Sequence, residues 1–106
     1  MTIKIFVTTR FEGFHRWPSA PDEVAFLRER HRHIFHVRAE RVVSHDDRDV
    51  EFILFKREIE CGIREANTDE TLDWSCERWA SYLLERFELS KCEVSEDGEN
   101  GAVVEA

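Results

Sequence analysis

The sequence predicts an α+β fold in which strands at both ends of the chain enclose two helices. Residues 2–12 and about 31–44 are rich in β-branched and aromatic side chains that partly alternate with polar ones, which favours two strands. Residues 52–63 and 76–87 carry apolar side chains every three to four positions, as amphipathic helices do. Two short segments after residue 90 complete the order ββααββ. We therefore expect an α+β domain with this order of elements.

In the first strand, alternate side chains are apolar and share a face, because successive side chains on a strand point to opposite faces. These residues are Ile3, Ile5, Val7 and Phe11, and a strand that continued would add His15. Residues 16–30 contain Pro18 and Pro21, which remove backbone donors and restrict the residues before them. We expect a long loop there, with a short helical turn over 22–27.

The second strand repeats this alternation and is predicted from His31 to Ser44. One face of it carries His31, His33, Phe35, Val37 and Val43. The polar run SHDDRD at 44–49 then predicts a turn before the first helix.

The two helices each show a predicted buried stripe. In the first, the stripe consists of Phe52, Phe55, Ile59 and Ile63. In the second, Asp73 or Ser75 can cap the helix and Glu77 lies in its positive first turn. Its predicted buried face consists of Cys76, Trp79, Ala80, Leu83, Leu84 and Phe87.

A hairpin is expected at the end of the chain, between strands at 91–96 and 101–106. The pairs Asp97-Gly98 and Asn100-Gly101 are typical of positions that need a positive φ. The expected chain order therefore ends in a hairpin that follows the two helices.

Composition restricts the function classes. A chain of 106 residues is the size of one domain, which we expect to span residues 1–106. The net charge of −8 opposes attraction to a phosphate backbone, so nucleic acid is not an expected partner. Three cysteines without CxxC spacing favour a reducing cytoplasm, and we interpret them as small buried hydrophobes. No apolar run has the length of a membrane span, and no signal peptide is evident, which predicts a soluble, unprocessed protein.

The segment HRHIFHV at 31–37 raises the question of function. His31 and His33 would stand side by side on one strand face, while His36 points to the other face and His45 lies in a polar turn. A catalytic zinc site uses about three protein ligands and one open position, and His15 is the best-placed third ligand. From the residues alone, a metal site and an exposed polar patch both remain open.

Five segments resemble the family of 6-pyruvoyl-tetrahydropterin and 6-carboxy-tetrahydropterin synthases. They are FEGFH (11–15), HRHIFHV (31–37), VEFILFK (50–56), SCERWASYLLERF (75–87) and VSEDGENGA (94–102). The usual family pattern is F-x-x-x-H, then H-G-H and an aromatic, D-F-x-x-L-K, a T-S-E-N-x-A helix start, and a strand that ends in glutamate. The resemblance spans nearly the whole chain, and its most specific part is the spacing of the three histidines.

The resemblance implies a tunnelling fold (T-fold), a four-stranded antiparallel sheet with two helices on one face. It also implies a set of site residues. His15, His31 and His33 resemble the family's Zn²⁺ ligands, and Glu96 resembles the glutamate that holds the pterin ring. A carboxylate suits that role because it can accept two parallel hydrogen bonds. The family's members act on dihydroneopterin-type substrates in tetrahydrobiopterin and 7-deazaguanine (queuosine) biosynthesis. Its members assemble into oligomers with interfacial active sites, which implies a homo-oligomer here, a trimer-based hexamer.

The sequence also departs from the family pattern where acid-base chemistry is expected. The family's cysteine, four residues before H-G-H, is Leu27, and its Asp-His pair between the helices has no counterpart over 60–73. Arg32 replaces the middle glycine but points to the opposite face. Glu29 is the nearest replacement base, with an exposed charged residue as the alternative, and Trp17 can stack on a flat ring or simply anchor its loop.

Three functional hypotheses follow from this match and its gaps. The first is a zinc-dependent lyase that eliminates or cleaves the side chain of a dihydroneopterin-like substrate. The second is a zinc-containing protein that binds a pterin, a purine or a partner without the synthase chemistry. The third is a small domain without a metal, in which the histidines coincide by chance.

Overall fold

The computed structural model describes residues 1–106 and has the predicted order ββααββ. Its strands are β1 (Ile3–His15), β2 (His31–Val43), β3 (Lys91–Glu96) and β4 (Asn100–Glu105). Its α-helices are α1 (Phe52–Ala66) and α2 (Cys76–Arg86), and two 3₁₀ helices cover Asp22–Arg28 and Asp69–Thr71. Neither α-helix combines the length and apolar character that a membrane crossing requires.

The four strands form one antiparallel sheet in the order β1-β2-β3-β4, so neighbours in sequence are neighbours in the sheet. The β1–β2 pairing runs from Ile3 opposite Val43 to His15 opposite His31. β1 thus continues three residues beyond its predicted end at Glu12. This continuation brings His15 onto the sheet beside the histidines of β2.

The hydrophobic core lies between one sheet face and the two helices. Its sheet side is formed mainly by Val7, Phe35, Val37, Ala39, Cys92 and Val94. Its helix side is formed mainly by Phe55, Ile59, Ile63, Trp79, Ala80 and Leu83. These side chains are nearly all fully buried, and apolar burial contributes about 25 cal/mol per Å² to stability.

The prediction that Phe52 belongs to the buried stripe of α1 is wrong, because its side chain is 57% exposed. Phe52 is the first residue of α1 and lies by an open cavity next to Ile3 and Val43, where the strands end. The stripe therefore begins one turn later, at Phe55. Glu51 caps this helix by accepting the N–H of Leu54 at 2.9 Å.

Of the two predicted caps of α2, Ser75 is the one used. Its hydroxyl oxygen accepts the N–H of Arg78 at 3.1 Å. Asp73 instead accepts a charged hydrogen bond from the guanidinium of Arg16 at 3.0 Å. The loop after β1 is thereby tied to the segment that leads into α2.

The predicted positive φ values in the β3–β4 turn are confirmed for Asp97 and Gly98 and wrong for Asn100 and Gly101. Asp97 and Gly98 have positive φ values of 56° and 74°, as their types predicted. Asn100 and Gly101 are instead in β4 with ordinary extended backbone. Gly101 is required for space, because a Cβ atom there would come within 2.2 Å of the Val94 carbonyl oxygen.

The cysteines are free, and two of them, Cys76 and Cys92, are buried as predicted. The prediction is wrong for Cys61, which is exposed on α1. Two residues from the buried Ile59, a helical side chain has turned by about 200° and points to solvent.

Candidate metal centre and adjoining cavity

Three histidines meet at one end of the core-facing side of the sheet. His15 ends β1 directly opposite His31, and His33 follows two residues later on the same face. Their ring centroids are 4.4 Å apart for His15 and His31, and 5.0 Å for the two other pairs. Phe35, the next residue on this face, closes the cluster towards the core, with its ring 5.4 Å from that of His15.

The Nδ1 atom of each histidine lies at hydrogen-bond distance from an oxygen atom that can only accept a hydrogen bond. His15 Nδ1 lies 3.2 Å from the Trp74 carbonyl oxygen, and His31 Nδ1 lies 2.8 Å from the Glu29 carbonyl oxygen. His33 Nδ1 lies 2.7 Å from Oδ2 of Asp97. All three Nδ1 atoms must therefore carry a proton and donate a hydrogen bond. In a neutral imidazole this leaves the lone pair on Nε2.

The three Nε2 atoms are buried, and none makes a hydrogen bond. Oε2 of Glu96 lies 3.0 Å from His15 Nε2 and 2.8 Å from His33 Nε2, which is close enough for an ion pair but lacks hydrogen-bond geometry. The four ligand atoms of these residues all lie within 4.8 Å of one another. Buried lone pairs that converge without a proton between them are costly, and a cation relieves that cost.

The donor set fits zinc. Three imidazole nitrogens, with or without a carboxylate oxygen, form a common zinc environment. Ligands about 2.0–2.1 Å from a tetrahedral ion lie about 3.3 Å from one another, close to the separations of Glu96 from His15 and His33. Acceptors on the outer ring nitrogens are also typical of zinc histidines, because they set the tautomer and orient the ring.

The electrostatics of the cluster favour the metal-binding forms of its residues. Burial lowers the pKa of His15 below its usual 6.5, outweighing the Trp74 carbonyl and Glu96, which raise it. The hydrogen bond from His33, followed by one from the Ile34 N–H, lowers the pKa of Asp97. His15 thus stays neutral and Asp97 stays ionised around neutral pH, as ligation by these histidines requires.

A cavity of about 410 Å³ adjoins the cluster and is large enough for a small flat molecule. The residues that line it include His31, Glu96, Trp17, Leu27, Cys76 and Glu77. A larger hollow of about 630 Å³ surrounds Arg10, His36 and Ser95 but does not include the three clustered histidines. We place the candidate binding site in the smaller cavity because it shares walls with the cluster.

The other residues singled out from sequence have varied positions. Trp17 lines the cavity with about half of its side chain exposed. The Glu29 side chain is exposed and does not line the cavity, although its carbonyl group orients His31. His36 lies off the cluster, and His45 remains in the turn, 3.5 Å from a carboxylate oxygen of Asp49.

Sequence reasoning did not assign three residues to the site. Asp97 orients His33, Glu77 lines the cavity, and the Cys76 thiol lies in its wall. Burial, and then the carboxylates of Glu96 and Glu77, raise the pKa of Cys76 to about 12, so this thiol is neutral. Only the pairing of β2 with β3, which sets Phe35 opposite Glu96, brings the end of the chain to the histidines.

Among solved structures, this chain resembles 6-pyruvoyl tetrahydropterin synthase from Caenorhabditis elegans. The match has a TM-score of 0.75 and covers 100% of this chain and 96% of the other, with 12% sequence identity. No protein-family model matches the sequence, and no curated protein matches it significantly.

This likeness confirms the predicted tunnelling fold, with its four-stranded antiparallel sheet and ββααββ order. At 12% identity it establishes the fold alone. Function has to be argued from the site, because one fold supports many activities.

Proposed function

We propose that this chain is a zinc-dependent enzyme of the 6-pyruvoyl/6-carboxy-tetrahydropterin synthase type, which eliminates or cleaves the side chain of a dihydroneopterin-like substrate. The observation that carries the proposal is the convergence of three buried, unpartnered Nε2 atoms at the wall of a cavity. The fold shared with a pterin synthase supports the choice of substrate class.

In this proposal His15, His31 and His33 hold the zinc ion through Nε2, and the acceptors on their Nδ1 atoms fix the ring orientations. Bound zinc supplies Lewis-acid chemistry, which polarises a substrate hydroxyl or carbonyl oxygen and makes the adjacent C–H more acidic. Phe35 keeps the inner side of the cluster apolar, so the cavity is the side from which a substrate approaches.

Glu96 and Trp17 are the proposed ring-binding residues. The Glu96 carboxylate can accept two parallel hydrogen bonds from a ring N–H and its neighbouring amine. The Trp17 indole borders the same cavity and can stack on a flat heterocycle. Together they would hold the ring while its side chain reaches the histidines.

A base must also remove a proton from the substrate side chain. We propose Glu29, which lies two residues before His31 and whose carbonyl oxygen is 2.8 Å from His31 Nδ1; its side chain is exposed outside the cavity. Glu77 is its competitor, since its side chain lines the cavity directly. The isosteric variants Glu29→Gln and Glu77→Gln separate them, because loss of the base lowers kcat about 10²–10⁴-fold without equal loss of ring affinity.

A second candidate function is a zinc-containing protein that binds a pterin-like or purine-like ring, or a protein partner, without turnover. Three observations favour it. Leu27 stands in the cavity wall where the resembled family has its cysteine, and the only cysteine that lines the cavity, Cys76, is a neutral thiol. The segment between the helices contains no histidine.

The deciding experiment begins with the metal content of the purified, untagged protein, measured by elemental mass spectrometry beside His31→Ala. One zinc per chain that is lost in the variant supports the centre. The zinc-loaded protein is then given dihydroneopterin triphosphate. Product formation supports the enzyme, saturable binding without product supports the second function, and absence of metal after zinc is offered contradicts both.

We further propose that the chain forms a homo-oligomer, a trimer-based hexamer. β1 and β4 are free edges of the sheet, and such edges are normally covered or paired. Three consecutive apolar residues at the start of α1, Phe52, Ile53 and Leu54, are each more than half exposed. A monomer in multi-angle light scattering at all concentrations would contradict this assembly.

A further inference from the structure

Glu96 occupies a position that ring binding alone does not explain. Its Oε2 atom points at the histidine cluster, 3.0 Å from His15 Nε2 and 2.8 Å from His33 Nε2. A carboxylate poised to hold a ring would direct both oxygens into the cavity. Here one oxygen lies at the point where the three Nε2 atoms converge.

A hydrogen bond does not account for this position either. The Nδ1 atoms of His15 and His33 donate to the Trp74 carbonyl and to Asp97, so their Nε2 atoms carry lone pairs in the neutral rings. A lone pair does not attract a carboxylate oxygen. An ion shared by the nitrogens and the oxygen does, and the donor set of three nitrogens and one oxygen completes a tetrahedral zinc site.

We propose that Glu96 is the fourth protein ligand of the metal, so that the centre is closed until a ring ligand draws the carboxylate away. The inference rests on the proposed metal centre and deepens it. A catalytic zinc site needs an open position, whereas four protein ligands leave none. A ring that donates hydrogen bonds to both Glu96 oxygens takes Oε2 from the metal and thereby opens the position that its own side chain needs.

This arrangement makes Glu96 a specificity switch. A molecule without two parallel hydrogen-bond donors leaves the carboxylate on the metal, and small anions find no free position. A molecule with two parallel donors replaces the contact between Glu96 and the metal by two charge-assisted hydrogen bonds to Glu96. Ring recognition and access to the metal are then one event, which limits reaction at the metal to substrates of the correct class.

Cobalt substitution tests the inference without relying on activity, because the visible spectrum of Co²⁺ reports its ligands. The full chain is loaded with Co²⁺ and titrated with thiocyanate, beside Glu96→Gln and the control Glu93→Gln, a β3 carboxylate outside the cluster and its cavity. We expect the spectra of the unmodified protein and Glu93→Gln to remain unchanged by thiocyanate. The spectrum of Glu96→Gln should shift, and its metal dissociation constant should rise by at least about tenfold.

The ring-dependent part of the proposal uses 7,8-dihydroneopterin as the probe. Added to the cobalt-loaded unmodified protein, it should change the spectrum and make thiocyanate effective. A cobalt spectrum that dihydroneopterin does not change would overturn the switch.

Other outcomes separate this inference from the proposed function. If the cobalt-loaded unmodified protein binds thiocyanate as readily as Glu96→Gln, Glu96 is not a ligand, while the three-histidine centre stands. If neither protein takes up cobalt although both show folded circular dichroism spectra, the metal centre and this inference both fail. A conservative Glu96→Asp variant that restores resistance to thiocyanate would support direct ligation through the carboxylate.

Discussion

The two ends of the β1–β2 hairpin face the same helices but are built from different chemistry. At one end, Ile3 pairs with Val43 and the neighbouring Val7 is buried, so apolar surfaces meet each other. At the other end, His15 pairs with His31, and three ring nitrogens are buried without partners. The side chains of Ile3, Val43 and Val7 need no polar partner, whereas the three Nε2 atoms at the histidine end do. Buried polar atoms without a hydrogen-bond partner need a physical explanation, and a bound ion is one.

The largest expected effect comes from breaking the histidine end. His31→Ala removes one of three Nε2 donors and should abolish stoichiometric zinc binding, as measured by elemental mass spectrometry after dialysis. The matched control is His36→Ala, on the same strand but outside the cluster. Equal zinc content in the two variants would show that these histidines do not form the centre.

The next effect concerns the acceptor behind His33. Asp97→Asn keeps the shape but removes the negative charge that accepts the Nδ1 proton, so zinc affinity should fall about 10–100-fold. Competition with a chelator of known affinity measures the change. Asp49→Asn, which alters the carboxylate beside His45 in the turn, is the control and should leave affinity unchanged.

A substitution at the apolar end should lower stability and leave zinc binding unchanged. Val7→Ala removes two buried methyl groups and should lower the free energy of unfolding by about 2 kcal/mol, measured in urea. Zinc stoichiometry should stay at the unmodified level. A Val7→Ala protein that folds but loses its zinc would show that the two ends are not independent.

The stability of the metal-free protein should depend on pH through the histidine end. The folded-state pKa of His15 lies below 6.5, so the unfolded chain binds more protons as pH falls below this value. The stability from neutral His15 is therefore present above pH 6.5 and is lost as pH falls through the folded pKa. With chelator present, urea unfolding should show a steeper loss between neutral pH and pH 5.5 than it does for His15→Gln. Parallel curves would contradict this assignment.

The smallest expected effect lies at the outer edge of the cavity. Trp17→Ala should weaken dihydroneopterin binding about three- to tenfold, which corresponds to the ~0.5–1.5 kcal/mol of an aromatic stacking contact. Zinc content should not change. Phe26→Ala is the control, because Phe26 is an exposed aromatic of the same loop that does not line the cavity. Fluorescence titration of both variants makes the comparison.

Local rules explain what could be predicted. The alternation of β1 and β2 placed His15, His31 and His33 on one face, because side-chain direction on a strand depends only on parity. Helix periodicity likewise identified the buried stripe from Phe55 to Ile63. It failed for Phe52, since periodicity does not reveal where the sheet beneath a helix ends.

The order of the elements, the fold and the strand face of the histidines could thus be read from the amino-acid sequence. The groups that surround the histidines could not, because they come from distant parts of the chain. The pairing of β2 with β3 joins residues about 60 positions apart and brings Glu96 to the Nε2 atoms and Asp97 to His33. The segment that leads into α2 adds the Trp74 carbonyl behind His15. Contacts between distant segments depend on packing of the whole core, and here they convert three aligned histidines into a centre with oriented rings and a fourth candidate ligand.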